Sequence, residues 1–151
     1  MELDSFSVDT FIQRLPQDII NSIIPYTYQP QSETLLKDIR NYSKTINLIR
    51  NLYYQYWTVY KGYSEIEGKW QLINDIERYA NNDIPTMLSF IDKFRHIWFR
   101  NFTLNNNDEF DNFIEKFVLK STPTQINMFW GILIPQERHE FIDKIFNEFL
   151  Q

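Results

Sequence analysis

Apolar residues recur along this chain at steps of three and four, the spacing of one helix face, and the strict alternation of strands is hard to find. The first such stretch is short, residues 8–14, and Leu15-Pro16 interrupts it. Residues 17–24 begin again with Ile19, Ile20, Ile23 and Ile24 on one face; Pro16 suits a first helical position and Asp18 lies near the positive end of the helix dipole. PYTYQPQ, residues 25–31, carries two prolines and reads as a loop. Ser32 is placed to cap a long third helix with the stripe Leu35, Leu36, Ile39, Tyr42, Ile46, Ile49, Tyr53, Tyr56, Trp57 and Tyr60, ended by Gly62. Ser64 and Glu67 have capping-box spacing and open a fourth helix to about residue 79. Past Asn81-Asn82-Asp83, a strongly apolar fifth helix is expected over residues 84–102, and a sixth over 108–120 with Phe110, Phe113, Ile114, Phe117 and Val118. Thr122-Pro123-Thr124-Gln125 has the form of a second capping box before a short helix to about residue 130. The last helix, residues 135–150, should turn Phe141, Ile142, Ile145, Phe146 and Phe149 inward.

The fold class that follows is all-α, a compact bundle of about six to eight helices with the N-terminal helices packed on the long third one. Only three glycines leave little provision for tight β-turns. A division, if there is one, is expected near Gly62, between an N-terminal module, residues 1–62, and a helical part, residues 63–151, that shares its core. At this length a chain buries roughly 70% of the surface it exposes when unfolded. The absence of Cys excludes a disulfide framework, thiol catalysis and a Cys-based zinc site. No apolar run approaches the ~18–20 residues of a membrane span, and the acidic start MELDSF is unlike a signal peptide, so no membrane partner is expected. The chain is rich in Phe, Tyr, Ile, Asn and Lys and holds one alanine, Ala80. Alanine is the best helix former, so selection for helix would not remove it; an AT-rich genome would.

Motifs that carry chemistry are largely missing. The two histidines, His96 and His139, are far apart in sequence, and His139-Glu140 lacks the second histidine of a zincin helix, Asp143 standing in its place. No Gly-rich phosphate loop and no Gly-x-Ser-x-Gly elbow exists. Glu65, Glu67, Asp108, Glu109 and Glu137 all fall in first turns, where negative charge favours the helix dipole. The expectation is a chain that is not an enzyme, with no catalytic residue, metal or cofactor. Lys37, Arg40 and Lys44 share one face of the third helix and are the residues a nucleic-acid-associated factor would use; the net charge of −5 and Asp38 within the stripe argue against that partner. Phe90, Phe94, Trp98, Phe99 and Phe102 follow helical spacing, and read either as core or as a protein-binding patch, with Phe94 and Trp98 at its centre.

The segment Leu15-Pro16-Gln17-Asp18-Ile19-Ile20-Asn21-Ser22-Ile23-Ile24-Pro25-Tyr26 resembles the opening of an F-box: Leu-Pro, an acidic residue, then paired aliphatics four apart. Leu35-Leu36, and Ile49-Arg50 leading to Tyr56-Trp57, are similar to later positions of that family, at wider spacing. The resemblance implies that Leu15, Pro16, Ile19, Ile20, Ile23 and Ile24 dock on the adaptor subunit of a cullin-based ubiquitin ligase. The same segment, with Leu35 to Tyr42 and Thr122 to Ile142, also resembles small proteins of giant DNA viruses that infect protists, and the residue usage agrees. A viral origin implies action in the host cytoplasm or presence in the virion. Three readings follow: an F-box-like interaction module with a host ubiquitin-ligase adaptor as partner; a minor capsid or virion-packaged protein that contacts viral structural proteins or its own copies as a homo-oligomer; and a nucleic-acid-associated factor. The isoleucine face of residues 19–24 packs within the molecule or on a partner.

Overall fold

The long periodic stretch after Ser32 folds as a single helix, α1 (Glu33–Tyr53), that runs directly into a π-helical segment, Tyr54–Tyr60. The Ser32 hydroxyl accepts from the Leu35 amide at 3.2 Å, the cap its position predicts. The computed structural model describes residues 16–19, 21–22, 31–104 and 106–150. The chain divides into two units, Met1–Leu36 and Lys37–Gln151.

In the first unit, residues 17–19 and 21–22 are helical, with Gln17 Nε2 donating to Asn21 Oδ1 at 3.1 Å and Ser22 Oγ donating to the Asp18 carbonyl at 2.8 Å. Pro16, Ile19, Leu35 and Leu36 are exposed. Leu15, Ile20, Ile23 and Ile24 lie outside the described residues, and so does the packing expected of the N-terminal helices on the long one.

The second unit is an all-α bundle. After α1 and the π-helical segment come α2 (Glu65–Ala80), α3 (Asp92–Phe99), α4 (Asn107–Val118), α5 (Thr122–Ile132) and α6 (Pro135–Phe149), and no strand occurs among the described residues. The Ser64–Glu67 capping box forms as read: Glu67 N donates to Ser64 Oγ at 3.3 Å and Ser64 N to Glu67 Oε2 at 2.8 Å. These bonds to the charged form hold the Glu67 carboxyl below its ordinary range. Asn106 caps α4 through the Glu109 amide at 2.9 Å.

Three expectations change in the structure. The fifth helix is α3 alone, because Asn81, fully buried, captures the chain before it: its Nδ2 donates to the Ile84 and Ser89 carbonyls at 2.7 and 2.8 Å, and its Oδ1 accepts from Ile91 N at 2.9 Å. Asn82 and Asp83, at φ 54° and 64°, turn the backbone into that arrangement. The second capping box does not form; Gln125 instead donates to the Val118 and Lys120 carbonyls at 3.0 and 2.7 Å, closing the end of α4. Phe146 is half exposed rather than inward. Ile46, Ile49 and Tyr53 of α1 are buried in one core with α2 to α6.

Within that core α2 packs against α5, α3 and the π-helical segment. Trp98, fully buried, is ringed by Phe102, Phe113, Phe117 and Phe129 at centroid distances of 4.9 to 5.7 Å. Phe94 joins Phe90, Phe110 and Phe129 beside it. Offset and edge-on geometries of this kind add about 0.5–1.5 kcal/mol per pair to the burial itself. A second tie is polar. Arg138 of α6 is fully buried and donates to Trp130 O at 3.0 Å, Gly131 O at 3.2 Å, Asn41 Oδ1 at 3.1 Å and Asp38 Oδ1 at 2.7 Å, so one guanidinium fastens α1, α5 and α6 together.

Candidate functional site

The widened turn of Tyr54–Tyr60 borders a cavity in the second unit. A cavity of about 470 Å³ lies between the end of α1, the π-helical segment, the first half of α2 and the start of α5. Pockets for small ligands fall in the range of about 300–1,000 Å³. Leu72, Pro123, Ile126 and the Tyr54 ring supply apolar wall; Arg50, Lys69, Glu65, Asn51 and Thr58 supply polar atoms. The π register is fixed from behind. Lys61 N reaches Tyr56 O at 3.0 Å, a five-residue step, and Tyr56 stacks flat on Phe149 of α6 at 3.8 Å.

Gly68 brings α2 close to this segment. A Cβ there would lie 3.6 Å from both Thr58 Oγ1 and Trp57 Cβ, so glycine leaves space without being required by contact. Two polar atoms of the segment, Thr58 Oγ1 and Trp57 Nε1, are buried without a hydrogen-bond partner. Such groups cost on the order of 1–3 kcal/mol each, and π-turns gather at functional sites. Charge at the cavity is nearly balanced: Lys69 pairs with Glu65 one turn away, while Arg50 donates to the neutral Asn127 Oδ1 at 2.6 Å. No carboxylate among the described residues forms an ion pair with Arg50.

Behind the cavity wall Tyr53 donates to Asp75 Oδ2 at 2.7 Å. Burial raises both groups above their ordinary values, the neighbouring carboxylate adding to the rise of Tyr53. Further along α2, burial lifts Glu77 to about 7, opposed by a hydrogen bond with Thr86. Tyr79 donates to Glu140 Oε2 at 2.9 Å; burial raises the tyrosine, and hydrogen bonds from Gln136 and Tyr79 hold Glu140 low.

The residues read from the sequence as sites do not converge here. Phe94 and Trp98 take the core alternative, 2% and 0% exposed, and have no surface to offer a partner. Pro16 and Ile19 are exposed, Ile19 by 42%. Lys37, Arg40 and Lys44 are exposed on α1, but Asp38 between them turns its carboxylate to Arg138. His96 and His139 are both on the surface, and no group of three His, Cys, Asp or Glu among the described residues is placed to hold a metal. No helix among the described residues is long and apolar enough to cross a membrane. Sequence reading missed the cavity, since Arg50, Thr58, Gly68 and Ile126 share no motif; the one hint was the stripe doubling at Tyr56-Trp57, where the apolar phase shifts. No family model matches the chain, and comparison with curated proteins and with solved structures returns no match.

Proposed function

We propose that the chain is a non-enzymatic helical interaction module, F-box-like at its N-terminus, that engages the adaptor subunit of a ubiquitin ligase in an infected host cell. The observation that supports this reading is Ile19, which leaves 42% of its surface open on the helical stretch that carries the F-box-like residues. Pro16 is exposed beside it, and Leu35 and Leu36 of the same unit are exposed as well. Burying one such aliphatic side chain on a partner contributes about 1.5–3 kcal/mol.

The test is calorimetric titration of the purified chain with a purified ubiquitin-ligase adaptor subunit, alongside Ile19→Asp. The reading expects a saturable complex whose affinity drops at least about tenfold in the variant, roughly 1.4 kcal/mol, with the helical circular dichroism unchanged. No complex with the wild-type chain, or equal affinity in the variant, overturns it. Self-association in sedimentation, with no adaptor bound, puts the virion-packaged structural protein in its place.

A further inference from the structure

We infer that the cavity beside the π-helical segment is a binding site for a small, mainly apolar carboxylic acid, a ligand with an aliphatic or aromatic body and one negative charge.

Two observations meet in the same lining. The first is size and wall: about 470 Å³, floored by Leu72, Pro123 and Ile126 with the Tyr54 ring at the side, suits an apolar body rather than a hydrated ion. The second is charge. Lys69 is neutralised by Glu65, which leaves the Arg50 guanidinium as the net charge of the lining. Arg50 spends one donor on the neutral Asn127 amide, and the planar fork holds further N–H groups of the kind that pair with a carboxylate. One net positive charge selects a monoanion; a phosphate ester, close to a dianion, would leave charge uncompensated in an apolar site.

The π-turn explains why the site exists at this position. An α-helical register over Tyr54–Tyr60 would narrow the turn that borders α2, and Gly68 withholds the side chain that would fill the remaining space.

The experiment is calorimetric titration of the whole chain with decanoate, 4-phenylbutanoate and decan-1-ol, for the wild type and for Arg50→Gln and Asn51→Trp. Both positions are exposed on α1, so neither change disturbs the core, and circular dichroism checks that each variant folds. The expected result is binding of at least one of the two acids tighter than about 1 mM, with decan-1-ol weaker by about tenfold or more. Arg50→Gln should weaken the acid about tenfold and leave the alcohol unchanged, and Asn51→Trp should block both by filling the mouth. Amide NMR resonances of Thr58 and Gly68 should shift on addition of the acid to the wild type. The inference is overturned if neither acid binds the wild type in that range, if the alcohol binds as tightly as the acid, if Arg50→Gln leaves acid affinity unchanged, or if the shifts fall elsewhere.

Discussion

Two regions that both rest on the second helical unit are built in opposite ways. Around Trp98, rings from α3, α4 and α5 fill space with edge-on and offset contacts. Around Thr58, the same bundle leaves a cavity, two buried polar atoms without partners and a glycine where α2 comes nearest. The aromatic region is not free of cost, since the Trp98 indole N–H is also buried without a partner. The difference lies in what surrounds that orphan. Five rings within 6.3 Å of the indole outweigh one lost hydrogen bond, whereas Thr58 borders empty volume. Stability is concentrated at the first region, and the second has room to accept something else.

The strongest way to break this comparison is Trp98→Ala. Removing the centre of the ring cluster should cost about 3–5 kcal/mol in denaturant unfolding, and a cost under about 1 kcal/mol would mean that the cluster is not where stability resides. Arg138→Met comes next. It keeps the apolar stem but strands the Trp130 and Gly131 carbonyls and the Asp38 carboxylate, for an expected loss of about 3 kcal/mol in the same assay. Asp38 retains 38% exposure and can rehydrate, which keeps the figure at the lower end for a buried pair.

Glu77 gives a smaller effect with a sign fixed by linkage. Its carboxyl is raised from 4.5 to about 7 by burial, so the folded state holds a proton that the unfolded chain has already lost between those values. Its contribution is therefore fully present below about pH 4.5 and falls as pH rises through 7. Glu77→Gln, neutral at every pH, should be more stable than wild type at pH 8 by on the order of 1–2 kcal/mol and nearly equal to it at pH 4.5, measured by thermal unfolding at both. An unchanged difference between the two would place the charged carboxylate in water.

The smallest effect sharpens the comparison most directly. Gly68→Ala introduces a methyl at ordinary contact distance and restores helix propensity, so a gain of about 0.5–1 kcal/mol is expected by denaturant titration. A loss instead would show that the cavity side is packed as closely as the rings around Trp98.

Legibility in the sequence followed the range of each interaction. The Ser64–Glu67 box, the Ser32 cap and the buried phase of Ile46, Ile49 and Tyr53 depend on residues within one or two turns, and all three follow from spacing. The break in the expected fifth helix was half legible: Asn81-Asn82-Asp83 announces a turn, but nothing local says that the Asn81 side chain would hold the chain as far as Ile91. Phe94 and Trp98 carried the same spacing whether buried or exposed, and only packing separated the two.

The sequence by itself determined the helices, most of their ends, and an apolar load large enough for one all-α core, because periodicity and capping are local. Tertiary structure decided the rest. Arg138 finds Asn41 and Asp38 at separations of 97 and 100 residues, Tyr56 finds Phe149, and the π-turn meets Gly68 of the next helix. Those pairings close long stretches of chain and exist only once the bundle has formed, so no window of the sequence contains them.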